Sequence, residues 1–126
     1  MFYSRTRYLF ISALIGLISA SQSIAGPVEN AIRSAESYLS FSGFSREGLI
    51  EQLSSPYGDG YSVSDATAAV DSLSVDWNLQ AVRSAEQYLQ MSGFSCSGLI
   101  EQLSSEYGSK FTLDQATYGA QQAGAC

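Results

Sequence analysis

Residues Ser42 to Gly58 read SGFSREGLIEQLSSPYG, and residues Ser92 to Gly108 read SGFSCSGLIEQLSSEYG, each position displaced by the same 50 residues. A constant, gap-free offset means that one structural unit of about fifty residues has been duplicated. Working outward from this block, Ala31–Asp71 and Ala81–Gln121 share 23 of 41 positions. The fold problem is therefore that of one small unit used twice.

The first copy reads as three short amphipathic helices. Val28, Ala31, Ala35, Tyr38 and Leu39 fall on one stripe at helical spacing, with Glu29, Arg33, Glu36 and Ser37 on the other. Ser42-Gly43 breaks that helix, and Ser45 is placed to cap a second one whose Leu49, Ile50 and Leu53 share a face. Pro56 and Gly58-Asp59-Gly60 stop it near Ser55. Ser62, with Asp65 three residues on, opens a third helix carrying Val63, Ala66, Val70 and Leu73. Phe44, Tyr57 and Tyr61 are available to fill the space between the helices.

The second copy restates this pattern with differences. Ala81, Ala85, Tyr88 and Leu89 repeat the first stripe, Leu99, Ile100 and Leu103 the second, and Thr112 with Gln115 forms a capping box for the third. Glu106 replaces Pro56, so the middle helix is expected to run on to Tyr107 before Gly108 ends it. Gly119 and Gly124 weaken the last helix, whose end is expected to fray. Arg33 and Glu36, like Arg83 and Glu86, sit at the (i, i+3) spacing of a helix-surface pair. The fold class is all-α: two tandem three-helix, helix-turn-helix-like repeats, residues 26–74 and 75–126.

Residues 1–25 read as a signal peptide. Arg5 and Arg7 precede an apolar run from Tyr8 to Ile18, and Ser23-Ile24-Ala25 offers small residues for cleavage between Ala25 and Gly26. The run is too short to cross a bilayer, so no stable membrane anchor is expected after cleavage, and the protein is expected to be periplasmic or secreted. Without that segment, Arg33, Arg46, Arg83 and Lys110 face all twelve Asp and Glu residues, a net charge of −8. Such a body repels nucleic acid and suits a basic protein partner, although acidity also serves plain solubility.

The sequence has no His, no phosphate loop and no metal-ligand spacing, so neither enzymatic activity nor a cofactor is expected. Cys96 replaces Arg46 at the start of the middle helix, and Cys126 is the last residue. In an up-down-up bundle the last helix returns to that side, which brings the two sulfurs within reach of a disulfide; two unrelated thiols are the alternative. Trp77 follows the N-cap candidate Asp76 at the joint between the copies, and reads as a wedge packing one unit on the other or as an exposed binding aromatic. Glu51, Glu101, Glu106 and Tyr118 are partner-binding candidates, the glutamates beside repeated apolar faces and Tyr118 at a point where the copies differ.

The order AxxxAxxYL, FSxxGLIEQLSSxYG and F/Y-S/T-x-x-x-A, with VDWNxQA joining the copies, resembles the Ltp family of host cell surface-exposed lipoproteins over Ala31 to Gln121. The resemblance implies tandem three-helix repeats outside the cytoplasm. Some members are encoded by temperate phages and give superinfection exclusion, blocking injection of another phage's DNA through its tape-measure protein; many others are exported bacterial proteins without an established role. The namesakes carry a lipobox cysteine, and Ile18 to Gly26 contains none, so the resemblance does not imply a lipid anchor here. Two expectations follow: superinfection exclusion through a basic segment of a tape-measure protein, or a secreted or envelope-associated structural module of the host with no phage role.

Overall fold

The computed structural model describes residues 26–126; residues 1–25, on which the expected signal peptide and the Ala25 side of its expected cleavage site fall, lie outside the described residues. Six helices follow one another: α1 Pro27–Phe41, α2 Arg46–Ser54, α3 Val63–Ser72, α4 Trp77–Met91, α5 Cys96–Ser104 and α6 Leu113–Gln122. The described residues contain no strand.

Each helix start has a local cause. Ser45 and Ser95 accept hydrogen bonds from Gly48 N (2.9 Å) and Gly98 N (3.0 Å), satisfying donors that a helix N-terminus leaves unpaired. Ser62 does the same for Asp65 N at 3.1 Å. At α6 the capping box is complete: Thr112 Oγ1 accepts from Gln115 N, and Gln115 Oε1 accepts from Thr112 N, both at 3.1 Å. Pro27, with φ preset, opens α1 without a side-chain cap, whereas Asp76 caps α4 by accepting from Leu79 N at 3.0 Å.

In each unit the third helix packs against the other two. One core gathers Ala35, Leu49, Ile50, Leu53, Ala66 and Val70; the other gathers Ala81, Ala85, Leu99, Leu103, Phe111, Ala116 and Ala120. Tyr38 meets Phe44 edge to face at 5.7 Å, and Tyr88 meets Phe94 likewise at 5.7 Å, so the aromatic corner is duplicated with the rest. Trp77, the first residue of α4, packs against the core of the preceding unit.

Several expectations are corrected, among them that Tyr57 fills the space between the helices: it is fully exposed. Helix α5 does not continue to Tyr107: Ser105 is extended (φ −63°, ψ 141°), as is Ser55 (φ −60°, ψ 136°), despite Glu106 replacing proline. The turn is held instead by Gly108, which lies so close to α5 that a Cβ there would approach Gln102 O at 2.2 Å. The end of α6 is closed rather than frayed: Gly124 is left-handed (φ 91°), its N–H bonds Gln121 O at 3.2 Å, and Ala125 N bonds Ala120 O at 3.0 Å, a Schellman cap. Gly119 is a close-packing residue, since a Cβ there would stand 2.7 Å from the Ala81 backbone. Arg83 donates to Leu39 O (2.7 Å) and Gln80 Oε1 (2.9 Å) instead of pairing with Glu86.

The two units are braced at the same place by different chemistry. Arg46 at the start of α2 holds Asp71 near the end of α3 with two hydrogen bonds, 2.7 and 2.8 Å. At the equivalent position Cys96 is joined by a disulfide to Cys126, beyond α6, across 30 residues.

Candidate protein-docking groove at the seam between the units

The seam is built from the turn that opens the repeated block. Ser42 Oγ and Gly43 N both donate to Gln87 Oε1 on α4, at 3.0 and 3.1 Å. Gly43 lies flat on that helix, so that a Cβ would stand 2.6 Å from Ser84 Oγ and 2.7 Å from Gln80 O. Only a glycine permits this approach. Ser45 Oγ, besides capping α2, donates to Ser109 O in the turn between α5 and α6. Arg83 reaches across to Leu39 O at the end of α1. Gln80, Ser84 and Ser45 are accordingly buried polar residues, and no buried side-chain nitrogen or oxygen among the described residues lacks a partner.

Beside this polar contact runs an ion pair. Lys110 Nζ meets Glu51 Oε2 across the seam, and Lys110 adopts a left-handed backbone (φ 59°). Glu51 and Lys110 form the floor of a groove of about 670 Å³ that also takes in Glu47, Glu106 and Tyr107. Lys110 pairs with Glu51 and Arg46 pairs with Glu47, so Glu106 carries the negative charge that no cation of the described residues offsets. On the far side of Glu51 a second hollow of about 390 Å³ is lined by Gln52, Ser55 and Tyr57 together with Gly108 and Ser109. Tyr57 and Tyr107, at matching positions of the two units, are fully exposed.

The turns that present these tyrosines are held from beneath. Tyr38 donates to Asp59 Oδ1 at 2.8 Å, a bond that raises the pKa of its phenol, and its oxygen accepts from Gln52 at 3.3 Å. In the second unit Tyr88 bonds Ser109 Oγ at 2.9 Å and accepts from Gln102 at 3.3 Å. The groove thus offers the Glu106 carboxylate and the exposed phenol ring of Tyr107, with Tyr57 beside the neighbouring hollow, a surface for cationic side chains. Among the described residues no group of three or more His, Cys, Asp or Glu is placed to hold a metal ion.

Of the residues singled out in the sequence, Glu51 and Glu106 share this groove. Glu101 is exposed on α5 and Tyr118 is 43% exposed on α6, and neither is among its lining residues. Sequence reasoning passed over Glu47, Tyr107 and Lys110. The available signal was the lysine standing where the first unit has a glycine.

The family described as Host cell surface-exposed lipoprotein, Ltp, matches the chain twice, at residues 28–73 and 76–122. The chain belongs to this family. The double match coincides with α1–α3 and α4–α6, so the Ltp family unit is the three-helix bundle. A solved Ltp structure, that of a superinfection exclusion protein from the Streptococcus thermophilus temperate phage TP-J34, is similar to the chain with a TM-score of 0.67 and 33% identity, covering 75% of this chain and 93% of that one. No functionally curated protein matches the chain. No described helix is long and apolar enough to cross a membrane.

Proposed function

We propose that this Ltp-family protein is an exported, non-enzymatic binding protein of the superinfection-exclusion type. It holds a basic segment of an incoming phage component, the tail tape-measure protein, and so blocks DNA injection. The reading is supported by membership of the family and by similarity to an Ltp protein that acts in superinfection exclusion. The observation that gives it a site is the groove lined by Glu47, Glu51 and Glu106 beside Tyr107, in which Arg46 pairs with Glu47, Lys110 pairs with Glu51, and Glu106 makes no ion pair among the described residues. Lys and Arg side chains of an extended segment fit such a surface through charge and ring contacts, and the excess of acid steers their approach. Nucleic acid is the wrong ligand, because the body carries four basic residues against twelve acidic ones.

The test is to express the protein in its exported form and challenge the cells with a panel of phages. Reduced plating of one phage group, restored by the double variant Glu47→Lys/Glu106→Lys, is the expected result. Unchanged plating on every phage, with the exported protein verified, would favour a structural or interaction module of the host envelope.

A further inference from the structure

The turn that forms the seam exists twice in the chain, and only one copy is used. Ser42-Gly43-Phe44-Ser45 is docked on α4, with Ser45 only 2% exposed. Ser92-Gly93-Phe94-Ser95 is identical in sequence and likewise caps its helix, yet Ser92, Gly93 and Ser95 are exposed, and a Cβ on Gly93 would meet nothing within 4 Å. The face that receives the first turn also recurs. Arg83 and Ser84 of α4 correspond to Arg33 and Ser34 of α1, where Arg33 is exposed and Ser34 is half-buried, its hydroxyl bonded to that of Tyr61 in its own unit at 3.2 Å. The seam is therefore a heterologous contact, turn onto helix, that leaves one exposed turn at one end of the described residues and one exposed helix face at the other.

We infer that a second copy of this chain is the partner for these two ends: the Ser92–Ser95 turn of one molecule docks on α1 of the next, continuing the internal seam from molecule to molecule. In the intermolecular contact Gly93 lies against Ser34 as Gly43 lies against Ser84, and Arg33 donates to Leu89 O as Arg83 donates to Leu39 O. Three elements of the internal seam lack counterparts on α1 and its neighbouring turn: Pro27 stands where Trp77 packs on the preceding core, and two polar contacts are also missing. Ser37 is too short to repeat the two bonds that Gln87 accepts, and Gly60 stands where Lys110 pairs with Glu51. The intermolecular contact is consequently weaker than the internal one, is populated at high protein concentration, and does not close at a dimer, because a head-to-tail contact without closure is open-ended.

Sedimentation velocity from micromolar to millimolar protein tests this. The wild type is expected to show a sedimentation coefficient that climbs past the dimer value, while Gly93→Gln, whose added side chain projects into open space and leaves the fold intact, stays monomeric. Ser37→Gln, which installs on α1 the residue α4 uses, is expected to tighten association by on the order of tenfold, the worth of one well-made hydrogen bond. Amide signals of residues 92–95 and 33–37 are expected to shift together with concentration. A wild type that stays monomeric at millimolar concentration overturns the inference. So does association that survives Gly93→Gln, or a shift of the turn without α1, either of which assigns the contact to another face or partner.

Discussion

Lys110 of the second unit holds Glu51 of the first from a backbone conformation that the first unit gives to glycine: φ is 59° at Lys110 and 71° at Gly60. A lysine in the left-handed region costs about 1 kcal/mol relative to glycine. A partly exposed ion pair contributes roughly 0.2–1 kcal/mol. The two nearly cancel, so the lysine is better explained by the relative placement of the units than by stability. Lys110→Gly is expected to leave the melting temperature almost unchanged while loosening one unit against the other, read by small-angle scattering or amide relaxation. Glu51→Gln, which keeps the backbone cost and loses the pair, is expected to be the less stable of the two variants in urea unfolding.

The paired glycines give a second comparison. Gly43→Ala drives a methyl into Ser84 and the Gln80 carbonyl, where overpacking of this kind costs about 1–3 kcal/mol. Gly93→Ala meets open space and is expected to be neutral, or stabilising by up to about 0.5 kcal/mol through a stiffer unfolded chain. Urea unfolding of the two variants at dilute concentration is the measurement, and equal effects would contradict the described seam.

Reduction of the Cys96–Cys126 disulfide removes a cross-link over 30 residues, worth about 3–4 kcal/mol in the chain-entropy description. The expected outcome is selective. Amides of α5 and α6 lose hydrogen-exchange protection, while those of α2 and α3, braced by Arg46 and Asp71, keep theirs.

Acid acts on the other brace. The Arg46 guanidinium holds the Asp71 carboxyl below its ordinary value of 3.8. A carboxylate whose folded pKa is depressed contributes stability above its unfolded pKa, and that contribution is lost as pH falls from about 3.8 through the lower folded value. Asp71→Asn is therefore expected to flatten the acid limb of the stability profile below about pH 3.8, and to leave the disulfide-braced unit unaffected.

Much of this molecule was legible in the chain because its determinants are local. Caps at Ser45, Ser62, Asp76, Ser95 and Thr112, and stripes such as Leu49, Ile50 and Leu53, depend on spacing alone, and they place the helices. Where expectation failed, the deciding contact was distant or geometric. Proline at position 56 suggested a different helix end from Glu106, but both turns are set by a glycine pressed against a glutamine carbonyl. Gly119 looked like a weak helix former, and only the approach of Ala81 shows why a glycine stands there. The acidic groove was half visible, in Glu51 and Glu106. Glu47 stands one turn before Glu51 on α2, and Glu106 joins them only because the seam brings the turn after α5 beside that helix.

Each unit keeps its own apolar core, and apart from the indole of Trp77 the units are joined by hydrogen bonds and one ion pair. Cooperativity between them is therefore modest in the free protein, and heating is expected to show one bundle loosening ahead of the other. A ligand lying in the groove touches α2 of one bundle and the α5–α6 turn of its neighbour, so its binding energy stabilises the docked pair over either bundle alone. Occupancy itself would then turn two weakly linked folding units into one, and a sharpened, single calorimetric transition would report capture of the partner.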